Sequence, residues 1–138
     1  MTGDREEVRS EEEDFFMKIE SHRDLIVWQK SMDMVVQVYQ LSGLFPNTEI
    51  YRLTSQITRA AASVPANIAE GHARGTNKND FAHFLSIAKG SLMETETFLM
   101  LAVRLNYLTS EQANPTLSLI IEISKMLTSL RYRILNTP

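Results

Sequence analysis

NKNDFAHFLSIAKGSLMETETFLMLAVRLN, residues 77–106, is the stretch that decides the fold class. Phe81, Leu85, Ala88, Leu92, Leu99 and Val103 recur at steps of three, four and seven, which places them on one stripe of an α-helix at about 100° per residue. Asn77 or Asn79 suits the start of that helix, where a short polar side chain accepts from a free backbone N–H, and Asn106 falls at its end. A second apolar row, Ile87, Phe98, Leu101 and Leu105, runs beside the first on a different face.

Downstream, Thr109-Ser110-Glu111-Gln112 has the spacing of a capping box and opens another helix that continues to about Asn136. Pro115 lies either in its first turns or before a later start. Upstream, a helix is predicted from near Thr48 through Leu53, Ile57, Ala60, Ala61, Val64 and Ile68 to Gly71 or Gly75, where glycine takes a left-handed helix end. It contains Pro65. Before it, Leu25, Trp28, Met32, Val35 and Tyr39 mark the buried face of a first helix that Gly43 and Pro46 terminate. A second row there, Val27, Met34, Val38 and Leu41, lies about 130° around the axis.

Nothing alternates with period two for long enough to make a sheet, and links of a few residues make successive helices antiparallel neighbours. The reading is all-α: an antiparallel up-down four-helix bundle over residues 22–138, with a proline-kinked second helix. The doubled rows exceed what one bundle hides, and exposing them would leave an apolar patch of the kind that marks interfaces. Val27, Met34, Val38, Leu41, Ile87, Phe98, Leu101 and Leu105 are therefore the expected contacts of a homo-oligomer. A wide core contact within one bundle is the alternative.

The 138 residues suit a single domain, and 43% hydrophobic with 22% charged residues is an ordinary globular composition. Cysteine is absent, which removes disulfides, zinc thiolates and a cysteine nucleophile and suits a reducing cytosol. No run approaches the roughly 20 apolar residues of a membrane span, and residues 1–20 lack the apolar region of a secretory signal. A cytoplasmic location follows as the expectation.

The net charge of −3 is uneven. Residues 1–20 hold eight acidic and three basic groups, −5, whereas the remaining 118 carry +2. Residues 1–21 read as a solvated, mobile tail or, more sharply, as an acidic docking arm.

Residues 59–74, RAAASVPANIAEGHAR, hold the most specific signal. Pro65 removes the hydrogen bond to the Ala61 carbonyl and crowds it, so a bend is expected there. The alanines allow another helix to approach closely, and Asn67 and Glu70 are placed to satisfy backbone groups the bend opens. Asn67, Glu70, His72 and Arg74 alternatively line a ligand site.

With Tyr51-Arg-Leu-Thr-Ser-Gln56-Ile-Thr-Arg59, Ser63-Val-Pro-Ala-Asn67-Ile-Ala-Glu70-Gly71 and Phe84-Leu-Ser-Ile-Ala-Lys-Gly90-Ser-Leu-Met-Glu94-Thr-Glu96, the chain resembles the four-helix-bundle proteins encoded in 23S ribosomal RNA intervening sequences. The likeness covers roughly residues 22–135, and Arg59, Pro65, Asn67, Glu70 and Gly71 carry its structural motif. That family also includes the accessory protein of diversity-generating retroelements, a pentameric barrel that binds a reverse transcriptase and nucleic acid through a basic surface. The resemblance implies a homopentamer with a binding role; the acidic extension lies outside the shared pattern.

No catalytic, cofactor or metal set emerges. No Glu has a His three residues later, as a di-iron bundle needs, and the glycines form no phosphate loop. The expectation is a non-enzymatic homo-oligomeric scaffold without cofactor or membrane partner. Its alternative is a nucleic-acid-binding accessory factor of a reverse transcriptase, touching RNA or DNA through Arg52, Arg74, Lys78, Arg104, Arg131 and Arg133. Arg131 and Arg133, flanking Tyr132, come first.

Overall fold

The computed structural model describes residues 20–138, so what the sequence implies for residues 1–19 lies outside the described residues. Four long helices account for most of the chain: α1 (Ile26–Ser42), α2 (Leu53–Ala73), α3 (Lys78–Arg104) and α4 (Ser110–Asn136). Two 3-10 turns, His22–Asp24 and Asn47–Glu49, precede α1 and α2, and no strand occurs among the described residues.

Local chemistry sets the boundaries. Ser21 caps the first turn reciprocally with Asp24. Asn77 accepts from the Asp80 N–H at 3.1 Å, and Thr109 and Gln112 close the expected box at 2.9 and 3.1 Å. Such caps satisfy backbone donors that a helix start leaves bare. Pro115 sits inside α4, five residues past its first, where the helix continues to Asn136. Helix α2 starts later than Thr48: the chain first turns through Asn47–Glu49, and the Glu49 carboxylate accepts from the Leu53 N–H at 3.1 Å.

Each helix packs on its chain neighbours and α4 returns to α1, closing a ring of four with the α2/α3 contact the most extensive. Ile57, Ala61, Val64 and Ile68 of α2, Leu85, Ala88, Leu92 and Leu99 of α3, and Ile120, Ile123, Leu127 and Ile134 of α4 fill its centre. Thr116 of α4 donates to the Gln37 amide oxygen of α1 at 2.7 Å, and Lys30 pairs with Glu122 at 2.8 Å. No buried side-chain polar atom among the described residues lacks a partner.

In α1 the second predicted row is the inner one, and the row read as core lies at its edge, with Trp28 and Val35 packed against the core. Val27, Met34 and Val38 are buried, with Met34 and Val38 at 0% exposure, so they belong to the core and not to a surface another copy can reach. Of the row read as core, only Leu25 is buried; Met32 and Tyr39 are exposed at 42% and 55%, and Trp28 and Val35 are half-buried. The reason is the small polar residues. Ser31 and Ser42 lie on the core row, their hydroxyls donating to the Trp28 and Tyr39 carbonyls at 2.7 and 3.1 Å. A serine that bonds its own helix enters a core at little cost, and here two of them share the inward face.

Of the two glycines expected at the end of α2, Gly75 is the one that serves. Gly75 takes the left-handed conformation, φ +62°, after the helix end at Ala73. Gly71 lies within α2, buried, where a Cβ would stand 2.9 Å from Phe81 Cδ1 and from Phe84 Cβ. Its role is close approach of α2 to α3.

Candidate assembly face and nucleic-acid interface

On α3 the predicted second row faces outward: Ile87, Leu101 and Leu105 are exposed at 39%, 41% and 45%, and Phe98 is half-buried. That row borders a groove of about 250 Å3 between α2 and α3, lined by Gln56, Arg59, Ser63, Ser91, Glu94 and Phe98. Its floor is hydrogen-bonded. Ser63 Oγ meets Ser91 Oγ at 3.0 Å, and the Asn67 amide donates to Ser63 Oγ and to the Ser63 carbonyl at 2.9 and 2.8 Å. Asn67 thus serves the Ser63 backbone on the motif's inner side, while Glu70 turns outward to pair with Arg74 at 2.9 Å.

At about 100° per residue, the α1 side chains bonded to α4, Lys30 and Gln37, lie on the opposite flank from Trp28, Met32, Val35 and Tyr39. The exposed α1 row therefore lies toward α2, as Phe98 of α3 does from the other side. Between them α2 presents mainly small or polar residues, Ala62, Ser63 and Ala66 among them, none of them buried. Two apolar rows thus border a lane with room for a close neighbour. Leu41 is half-buried and packs on the core.

The far flank of α3 is different in kind. There Leu85, Lys89, Leu127, Arg131, Tyr132 and Leu135 line a groove of about 310 Å3 between α3 and α4. An adjoining hollow includes Lys125 and Ser129. Residues 123–138 carry Lys125, Arg131 and Arg133 and no acidic group. Tyr132 stands 68% exposed among them. Lys89 Nζ donates to Thr128 Oγ1 at 2.8 Å, and Lys78 Nζ to the Thr137 carbonyl.

The six arginines and lysines expected to meet nucleic acid do not gather at one place. Arg131 and Arg133 are on α4, with Lys78 tied to the end of that helix. Arg74 is engaged by Glu70 and lies over the Phe84 ring, 5.0 Å from its centroid. Arg52 and Arg104 belong to the other end of the bundle, where Tyr107 donates to Glu49 at 3.1 Å. Accepting that bond, Glu49 raises the Tyr107 phenol above its ordinary range. Glu49 and Tyr107 carried no signal in the sequence because 58 residues separate them.

Where α1 begins, rings link three helices. His22 packs edge-on to Trp28, with centroids 5.0 Å apart, and His72 lies 6.5 Å from His22 and 6.0 Å from Phe81. Burial, then the neighbouring His22, lower the His72 pKa, and Asp24 opposes them. Among the described residues no three His, Asp or Glu side chains gather as a metal site, and no helix is long and apolar enough to cross a membrane.

The bundle is similar to a crystal structure of a protein of unknown function from the S23 ribosomal protein family of Bacteroides thetaiotaomicron VPI-5482. The TM-score is 0.70 at 32% identity, over 77% of this chain and 98% of that one. No curated protein matches. The family model of the 23S rRNA-intervening sequence protein matches residues 23–129, a span that takes in α1, α2 and α3 and most of α4, and the chain belongs to that family.

Proposed function

We propose that this protein is a non-enzymatic, cytoplasmic homo-oligomeric scaffold, with five copies the number its family resemblance implies. The observation that carries the reading is the face just described: Met32 and Tyr39 on one side and Ile87, Leu101 and Leu105 on the other, all exposed. Apolar rows around a lane of small residues suit a second helix better than water. An antiparallel up-down bundle underlies it. Support comes from paired positions that rise in one helix as they fall in the next: Lys78 with Thr137 and Lys89 with Thr128, Lys30 with Glu122 and Gln37 with Thr116. Pro65, which denies the Ala61 carbonyl its usual donor, supports a bend in α2.

Light scattering after gel filtration tests the assembly. Leu101→Arg is expected to dissociate it with helix content unchanged, because Leu101 is 41% exposed in one copy. A wild-type monomer at micromolar concentration, or a variant that assembles as before, sinks the reading.

A second reading, the nucleic-acid-binding accessory factor of a reverse transcriptase, is favoured by the α3/α4 groove. Lys89, Lys125 and Arg131 with no acidic residue in the groove lining, and Tyr132 exposed, offer phosphate contacts and a stacking surface. Repetition around a ring multiplies a modest patch. Affinity for single-stranded RNA or DNA that falls steeply with salt and is lost in Arg131→Glu is the expected outcome; no binding at low salt ends it.

A further inference from the structure

We propose that residues 1–19 of the same chain dock along the α3/α4 groove, the acidic run against Lys89, Lys125 and Arg131 and the aromatic pair against Tyr132 and Leu135, where they compete with polyanions. The competition rests on the second reading above; the docking does not. Residues 1–19 hold seven acidic and three basic groups, and Glu11-Glu12-Glu13-Asp14 is followed directly by Phe15-Phe16-Met17. The groove has the complementary order of features. Its cations lie beside a tyrosine 68% exposed and a leucine 40% exposed.

Attachment favours the same place. His22 meets the His72 and Trp28 rings, His72 meets Phe81 near the start of α3, and Lys78 at that start is bonded to Thr137 just past the end of α4. The arm therefore joins the bundle at the end where α4 finishes. Nineteen residues reach up to about 60 Å when extended, against about 40 Å for a helix of 27 residues, so the whole groove is within range. A tethered segment acts at an effective concentration on the order of millimolar, so even a weak ionic contact is populated. The groove also lies across α3 from Phe98 and Leu101 at about 100° per residue, which leaves it open when the apolar face is covered.

The chain has no cysteine, so Ser10→Cys in the full-length protein gives a single site for a nitroxide. At about 50 mM salt the label is expected to broaden amide resonances of residues 125–136 and 85–89. At about 0.5 M, where screening is far shorter-ranged, those signals should return. Broadening spread evenly over the bundle, or unchanged by salt, overturns the proposal. So does broadening seen only when isotope-labelled protein is mixed with nitroxide-bearing protein, which assigns the arm to a neighbouring copy. Neutralising the run (E11Q, E12Q, E13Q, D14N) should abolish the localised broadening and raise affinity for a single-stranded oligonucleotide about tenfold at low salt. If neither protein binds the oligonucleotide while the localised broadening persists, the docking stands and the nucleic-acid reading falls. If both bind equally and no localised broadening is seen, the docking falls and the nucleic-acid reading stands.

Discussion

Helices α1 and α3 each carry two apolar rows, yet the row the sequence reads as inner is buried along most of α3 and lies only at the core's edge in α1. In α3 the buried row, Phe81, Leu85, Ala88, Leu92 and Leu99, recurs at steps of three, four and seven along the helix, whereas its outward companions take a step of eleven from Ile87 to Phe98, so continuity and burial agree. In α1 the bulk points the wrong way. The row with Trp28 and Tyr39 looks like the core by size, but Val27, Ser31, Met34, Val38 and Ser42 are inside. Apolar bulk marks burial only where the partner helices leave space for it, and the space facing α1 takes valine, methionine and serine.

The difference is largest in stability. Met34→Ala and Met32→Ala remove the same atoms two residues apart, one from 0% exposure and one from 42%. Met34→Ala is expected to lower unfolding free energy by about 2–5 kcal/mol, whatever the protein concentration. Met32→Ala should cost under about 0.5 kcal/mol in a dilute monomer and more only where copies associate. Urea unfolding at several concentrations checks both, and equal losses return α1 to the assignment read from its sequence.

Much of the rest was legible for a physical reason. The helix start at Thr109 was readable, and the one at Asn77 was narrowed to Asn77 or Asn79, because capping is local, one side chain serving a backbone donor within three residues. The Glu49–Tyr107 bond and the gathering of Lys89, Lys125 and Arg131 were not, since they join residues that only the packed bundle brings near. Gly71 lies between these cases. Its identity was visible, but its purpose needs Phe81 and Phe84 in place.

That glycine sharpens the contrast between the locked and open sides of α3. Gly71→Ala puts a methyl 2.9 Å from Phe81 Cδ1 and Phe84 Cβ. Overpacking of this kind costs about 1–3 kcal/mol, which outweighs the gain in helix propensity. Gly90, within α3, has nothing within 4 Å of an added Cβ. Gly90→Ala should therefore stabilise by about 0.5–1 kcal/mol. Thermal unfolding separates the pair by sign, and two shifts of the same sign contradict the close approach of α2 to α3.

The smallest effect lies at His72 of α2, where the turn before α1 meets it through His22. In the folded protein the His72 pKa is lowered by burial and by His22, with Asp24 pulling the other way, whereas the unfolded chain titrates near 6.5. Between the two values the unfolded state binds more protons, so stability is complete above pH 6.5 and declines as pH falls through that window. Because His72 is only partly buried the decline is modest, a small fall in Tm as pH is lowered from about 7.5 to about 5.5. His72→Gln should flatten that part of the profile. An unchanged slope would mean that His72 stays as well solvated in the fold as in the open chain, and that the ring contacts from α1 to α3 do not shield it.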